Sequence, residues 1–114
     1  MDKSAAKNEY KKTKRPMGVY RIRNTRNDKS YIGCGTDLPA KINRHKAELK
    51  FGSHRNRELQ EEWNLFGESS FQFEVLDELH HKEDSQASPI EELQVLKEMW
   101  MRKLEKEGYS VVSL

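Results

Sequence analysis

The chain has one cysteine, Cys34, among its 114 residues. A single thiol cannot close an internal disulfide, which excludes a disulfide-stapled fold and fits a reducing, cytoplasmic setting. No apolar run approaches the ~20 residues that cross a bilayer. The opening residues are polar and charged, unlike an apolar signal segment. Apolar residues are themselves few: 34% of the chain against 35% charged. The expectation is one soluble domain with a small core and a strongly solvated surface. No internal repeat and no domain boundary is evident.

Charge is present in quantity, and it is segregated. Residues 1–57 hold 16 Lys and Arg against five Asp and Glu, whereas residues 58–114 hold five against 14. The formal net charge of +2 hides this polarity. A basic half suits a phosphate backbone, because each cation placed on a phosphate releases a condensed counterion. The competing explanation is two solvated faces that attract each other within the fold.

Residues 1–16 show no apolar stripe and carry Lys3, Lys7, Lys11, Lys12, Lys14 and Arg15, which reads as a basic arm, or a short surface helix ending before Pro16, ahead of a domain at 17–114. From Met17 to Asn24, Tyr20 and Ile22 alternate with Val19, Arg21 and Arg23, predicting a half-buried strand. The polar "TRND" turns the chain into a second strand, Ser30 to Cys34, so the pair predicts a hairpin. Thr36 or Asp37 can cap a helix with Pro39 in its first turn. Leu38, Ile42, His45 and Leu49 share one face of that helix, and Gly52 ends it. A second helix turns Leu59, Trp63 and Phe66 inward and stops at Gly67. Phe71, Phe73 and Val75 alternate with Gln72 and Glu74 as a third strand. Ser88, Pro89 and Glu91 open a last helix carrying Leu93, Leu96, Trp100 and Leu104. The order β-β-α-α-β-α predicts an α+β fold, with helices around a small three-stranded antiparallel sheet.

Two triplets stand out: Gly18-Val19-Tyr20 and Tyr31-Ile32-Gly33, with ten residues between the tyrosines. Taken alone they suit the core of an ordinary hairpin. They are followed in order by "HK" at 45–46, "GSHRN" at 52–56, "LQEEW" at 59–63, "FG" at 66–67, "FQFEVLDEL" at 71–79 and an aromatic at Trp100. This ordered set, from about Met17 onward, resembles the GIY-YIG nuclease family, in particular its small bacterial single-domain members.

The resemblance implies hydrolysis of a DNA phosphodiester with one divalent metal, usually Mg2+. Attack at phosphorus builds negative charge on oxygen, so such a site wants a metal and a fixed cation, and water needs a base. By the family pattern, Tyr20 and Tyr31 face the site from adjacent strands, with Gly18 and Gly33 supporting them. A helical arginine faces the phosphate with a histidine one turn on, here His45. His54 is expected to cap or brace the second helix and to support the site. A glutamate on the last helix holds the metal, and an asparagine near the end braces it. Arg21, Arg23, Arg44, Lys46 and Arg55 are the expected nucleic-acid contacts.

Three positions depart from the pattern. The arginine position is Lys41, the glutamate position is Lys97, and the asparagine position is Ser110. Lysine in place of arginine keeps the charge but loses the bidentate fork. Lys97 is the severe change, because an ammonium has no lone pair for a metal and repels one. At ~4 Å and an effective dielectric of ~20 that repulsion is roughly 8 kcal/mol. Glu98 could take the ligand's place only if the correspondence slips by one residue, since one helical step turns a side chain by about 100°. Lys97 shares a stripe with Leu93, Trp100 and Leu104 and is expected to point inward. Two readings follow. One is a DNA endonuclease domain with weakened or lost catalysis; the other is a phosphate-binding module on the same fold. A protein-interaction role for the acidic helices is a third. His80 and His81, adjacent in a polar loop, make poor joint metal ligands. Cys34 has no evident base partner and reads as a small packed residue.

Overall fold

A computed structural model describes residues 16–81 and 86–114. Apart from Pro16, the expected basic arm lies outside the described residues. Strand β1 (Gly18–Asn24) pairs antiparallel with β2 (Lys29–Gly35), placing Tyr20 opposite Gly33 and Ile22 opposite Tyr31. The connecting turn is closed by Asp28 N–H on Asn24 O at 2.8 Å, with Asp28 itself at φ 58°. Asp28 suits that left-handed position because its short polar side chain tolerates it.

Helices α1 (Leu38–Phe51) and α2 (Arg57–Phe66) follow. Asp37 caps α1 by accepting from Ala40 N–H at 3.2 Å, and Asn56 caps α2 by accepting from Leu59 N–H at 3.0 Å. A short 3₁₀ turn, Glu68–Ser70, leads into β3 (Phe71–Glu78), which pairs antiparallel with the other side of β1. Helix α3 (Pro89–Lys106) is capped by Ser88, whose Oγ accepts from Glu91 N–H.

The sheet has one strand more than the sequence pattern predicts. After α3, Gly108 at φ 99° reverses the chain, and β4 (Ser110–Ser113) lies parallel to β2. The order β3-β1-β2-β4 makes a four-stranded mixed sheet. "SVVS" is too short and has no alternation, so only its pairing with β2 makes it a strand.

Strand β1 is central and is buried on both faces, where a half-buried strand was predicted. On one face Tyr20, Ile22 and Tyr31 pack with Leu38, Leu49, Leu59, Trp63 and Phe71 beneath α1 and α2. On the other, Val19 and Ile32 pack with Leu104, Trp100 and Tyr109 beneath α3. Each fully buried large apolar side chain contributes about 1.5–3 kcal/mol. Arg21 lies on the α3 face at 7% exposure, with its guanidinium over the Tyr109 ring and Nε donating to Ser30 Oγ at 2.9 Å. A bulge between Val19 and Tyr20 shifts the β3 register. Leu76 then packs in the α3-side core, and Asp77 accepts from Trp100 Nε1 at 3.1 Å. Val75, expected inward, is 48% exposed at this edge of the sheet.

The bulge needs Gly18. A Cβ there would stand 1.9 Å from Asp77 O, a backbone atom that cannot move aside without the strand. Gly18→Ala is therefore expected to lower stability by about 2 kcal/mol and the thermal midpoint by roughly 10 °C. The exposed control Ser69→Ala should stay within about 0.5 kcal/mol.

Candidate functional site

A cleft of about 340 Å³ opens where β1 and β2 meet α1, the α1–α2 loop and the end of β4. Tyr20 reaches it from β1. Its ring crosses over Gly33, where a Cβ would fall 2.3 Å from Tyr20 Oη, so only glycine leaves room for the tyrosine. Oη lies 2.5 Å from His45 Nε2 on α1, and His45 Nδ1 lies 2.7 Å from His54 Nε2. The two imidazoles stack at a centroid distance of 5.0 Å.

The loop carrying His54 is held by Gln60. Its Oε1 accepts from His54 N–H at 3.0 Å, and its Nε2 donates to Leu49 O at 3.0 Å. Asn56 N–H then donates to His54 Nδ1 at 3.0 Å. Sequence reasoning assigned no role to Gln60, Asn56 or Glu48. Asn56 caps α2 with its side chain, where the sequence pointed to His54, and the backbone amide that meets His54 has no side-chain signature.

Lys41, Arg44 and Arg55 bring positive charge to the cleft walls. Lys41 is exposed and lays its stem over Gly35. Arg44 is exposed and donates to Glu48 Oε2 at 3.2 Å. Lys97 is 8% exposed, so it points inward as its stripe predicted, and its Nζ donates to Ser113 Oγ at 2.9 Å. Ser113 lines the cleft, as does Cys34, whose thiol feels the charges of both Lys97 and Lys41. Burial outweighs those charges and pushes the Cys34 thiol up, so it stays neutral.

Several expected site residues lie elsewhere. Tyr31 is fully buried, and its hydroxyl donates to Glu62 Oε2 on α2 at 3.0 Å. Glu62 also accepts from Asn24 Nδ2 at 2.9 Å, so Tyr31 closes a polar network within the core and does not line the cleft. Two residues along a strand from the Tyr20–Gly33 pair is far enough to exchange cleft for core. Arg21 is enclosed beneath Tyr109, and Arg23 is paired with Asp28 at 3.0 Å on the same α3 side. Lys46 sits over the Phe73 ring at 5.0 Å. These three do not line the cleft; Arg44 and Arg55 do. Ser110 is exposed at the start of β4, and Ser113, three residues on, reaches the cleft instead. Glu98 is exposed on the outer side of α3, away from Lys97, and cannot serve as a ligand in the cleft.

The donor set does not fit a hard divalent ion such as Mg2+, which takes oxygen ligands. The glutamate position holds an ammonium. Among the described residues one cluster has metal-ligand spacing: His45, Glu48 and His54. Because Asn56 N–H donates to His54 Nδ1, a neutral His54 carries its proton on Nε2, the atom facing His45 Nδ1. That pair of nitrogens shares a proton and has no two lone pairs to offer an ion.

Electrostatics keep the cleft's central groups neutral. Burial, then the charge of His54, holds His45 down at about 4; Lys41 and Arg44 add to the lowering and Glu48 opposes it. Burial likewise lowers His54. Tyr20 is pushed above the usual phenol range by burial and then by Cys34. Tyr31 is raised by burial and by Glu62.

The family model for the GIY-YIG catalytic domain matches residues 16–98. Intron-associated endonuclease 1 of Enterobacteria phage T4 is 34% identical over 67 residues, which is 59% of this chain and 27% of the phage protein. The chain thus matches about a quarter of that relative's length. The solved catalytic domain of the homing endonuclease I-TevI superposes with a TM-score of 0.65 at 27% identity, covering 84% of this chain and 97% of that one. A mutant form of the same catalytic domain gives 0.65 at 25% identity, covering 83% and 90%.

A His45 that resists protonation makes stability depend on pH. In the unfolded chain it takes a proton near 6.5; in the folded cleft it does so only near 4. The unfolded state binds more protons between these values, so stability falls as pH drops through that window and levels off below it. The stability advantage of the natural protein over His45→Gln should therefore be constant above about pH 7.5 and shrink from about 6.5 to 4. Denaturant midpoints taken across that range measure it, and a difference that ignores pH would refute the buried neutral histidine.

Proposed function

The chain belongs to the GIY-YIG family, as an endonuclease-type domain related to a phage intron endonuclease, and from that premise we propose that its cleft grips a DNA phosphodiester while cleavage is weakened or lost. One observation carries this reading: the ammonium of Lys97, buried and turned onto Ser113 at the cleft wall. The family pattern expects a carboxylate there to hold Mg2+. Among the described residues, Glu98 faces outward and Glu48, which lines the cleft, is engaged with Arg44.

The remaining groups suit binding. Lys41, Arg44 and Arg55 supply positive charge at the rim, and Tyr20 supplies a neutral hydroxyl at the floor. A tyrosine acting as a base must first lose its proton, and burial of Tyr20 opposes that. Phosphate contacts of this kind position a duplex and carry no sequence information, so preference would rest on backbone and shape.

Nicking of supercoiled plasmid, with and without Mg2+, tests the catalytic half. The natural protein should give no magnesium-dependent nicking, and Lys97→Glu combined with Lys41→Arg should gain it. Nicking by the natural protein that needs both Mg2+ and Tyr20 would overturn the reading. Duplex binding tests the other half. Three phosphate contacts give a log–log salt slope near −2.7, or roughly a 40-fold loss of affinity between 50 and 200 mM salt. A flat salt response would instead favour the acidic helices as the working surface.

A further inference from the structure

The proton positions in the cleft follow from one unambiguous donor. A backbone N–H can only donate, and Asn56 N–H is directed at His54 Nδ1 at 3.0 Å. His54 Nδ1 therefore carries no hydrogen, and a neutral His54 is protonated at Nε2. Placing the hydrogen on His45 Nδ1 instead would strip both nitrogens of His54 and leave an imidazolate. His54 Nε2 thus donates to His45 Nδ1 across 2.7 Å. His45 cannot also hold a proton on Nδ1, so its single proton sits on Nε2, 2.5 Å from Tyr20 Oη. Tyr20 Oη accepts that hydrogen, and its own hydroxyl hydrogen has to point elsewhere.

We infer that His54, ordered by the Asn56 amide, is a positioning residue that acts through His45 to make Tyr20 a hydrogen-bond donor into the cleft, aimed at a phosphate oxygen. The direction of the chain is Asn56 N–H to His54, His54 to His45, His45 to Tyr20, and Tyr20 to the ligand. The Gln60 bonds that hold the loop, and Gly33 beneath the Tyr20 ring, keep both ends in register. No bond is made or broken; the relay sets an orientation. Two neutral imidazoles beside Lys41, Arg44 and Arg55 add no cation to the cleft, so the tyrosine hydroxyl contributes direction where the basic side chains contribute charge. The final step, to a phosphate, rests on the function proposed above; the order of protons among the three rings does not.

Nitrogen spectra of the full chain with labelled histidine report which ring nitrogen is protonated. The expected signature at neutral pH is an unprotonated Nδ1 and a protonated Nε2 on both His45 and His54, persisting until the pH approaches about 4 at His45. A proton on Nδ1 of either ring overturns the relay. In His54→Phe the donor to His45 is gone, and the His45 spectrum should move to a mixture of tautomers; an unchanged His45 spectrum also overturns it. Should that variant fail to fold, the natural protein's spectra decide alone. Binding of a short duplex tests the last step. Tyr20→Phe should weaken it about tenfold, His54→Phe by a similar factor, and the double variant by no more than either single one. Ordered rings with unchanged affinity in Tyr20→Phe would overturn delivery of the hydroxyl to DNA. Absence of duplex binding by the natural protein would instead fail the proposed function, leaving the proton order standing.

Discussion

The site depends on a side chain that is missing. Gly33 leaves open the space that its Cβ would fill, and the Tyr20 ring from the neighbouring strand occupies it. Every later contact follows from that crossing. With the ring crossing over Gly33, its hydroxyl meets His45 on α1, and His45 in turn meets His54. A larger residue at 33 would push the ring up and break the series at its first member. The same economy appears at Gly18, where the approach of the Asp77 carbonyl permits the bulge that turns β3 toward α3.

Among the described residues the carboxylate side chain that lines the cleft is Glu48, and it is paired with a cation. Glu48 answers Arg44, and Lys97 reaches a serine rather than an acid. Burying an ammonium is costly unless its protons are taken up, and one hydroxyl takes only one of three. The proposed preference for a phosphate over a metal rests on this ammonium, which reaches the cleft through Ser113. Neutral histidines fit the same logic, since adding a proton to either would place one N–H against another.

Much of the fold was legible in the residues. Alternation along 18–24 and 71–78, the caps at Asp37 and Ser88, and the apolar stripe of α3 are local patterns, and local patterns survive folding. β4 was not legible, because a four-residue strand has no period of its own and exists through its parallel partner. The burial of Arg21 and the exposure of Val75 escaped for a related reason. Alternation assigns a residue to a face; whether a helix covers that face is decided by packing.

For the site, the sequence by itself determined the identity of the chemistry: which residue types are on hand, and that Lys41 and Lys97 stand where the family pattern expects other groups. Only the tertiary structure decided the partition of the two tyrosines, Tyr20 into the cleft and Tyr31 onto Glu62 within the core. It alone replaced Ser110 with Ser113 at the cleft wall and aimed the Asn56 amide at His54. The physical reason is one of range. Charge, size and chain stiffness belong to a residue wherever it lies, whereas a hydrogen bond needs two groups within about 3 Å, and residues 25 and nine apart reach that distance only when strand, helix and loop have closed on one another.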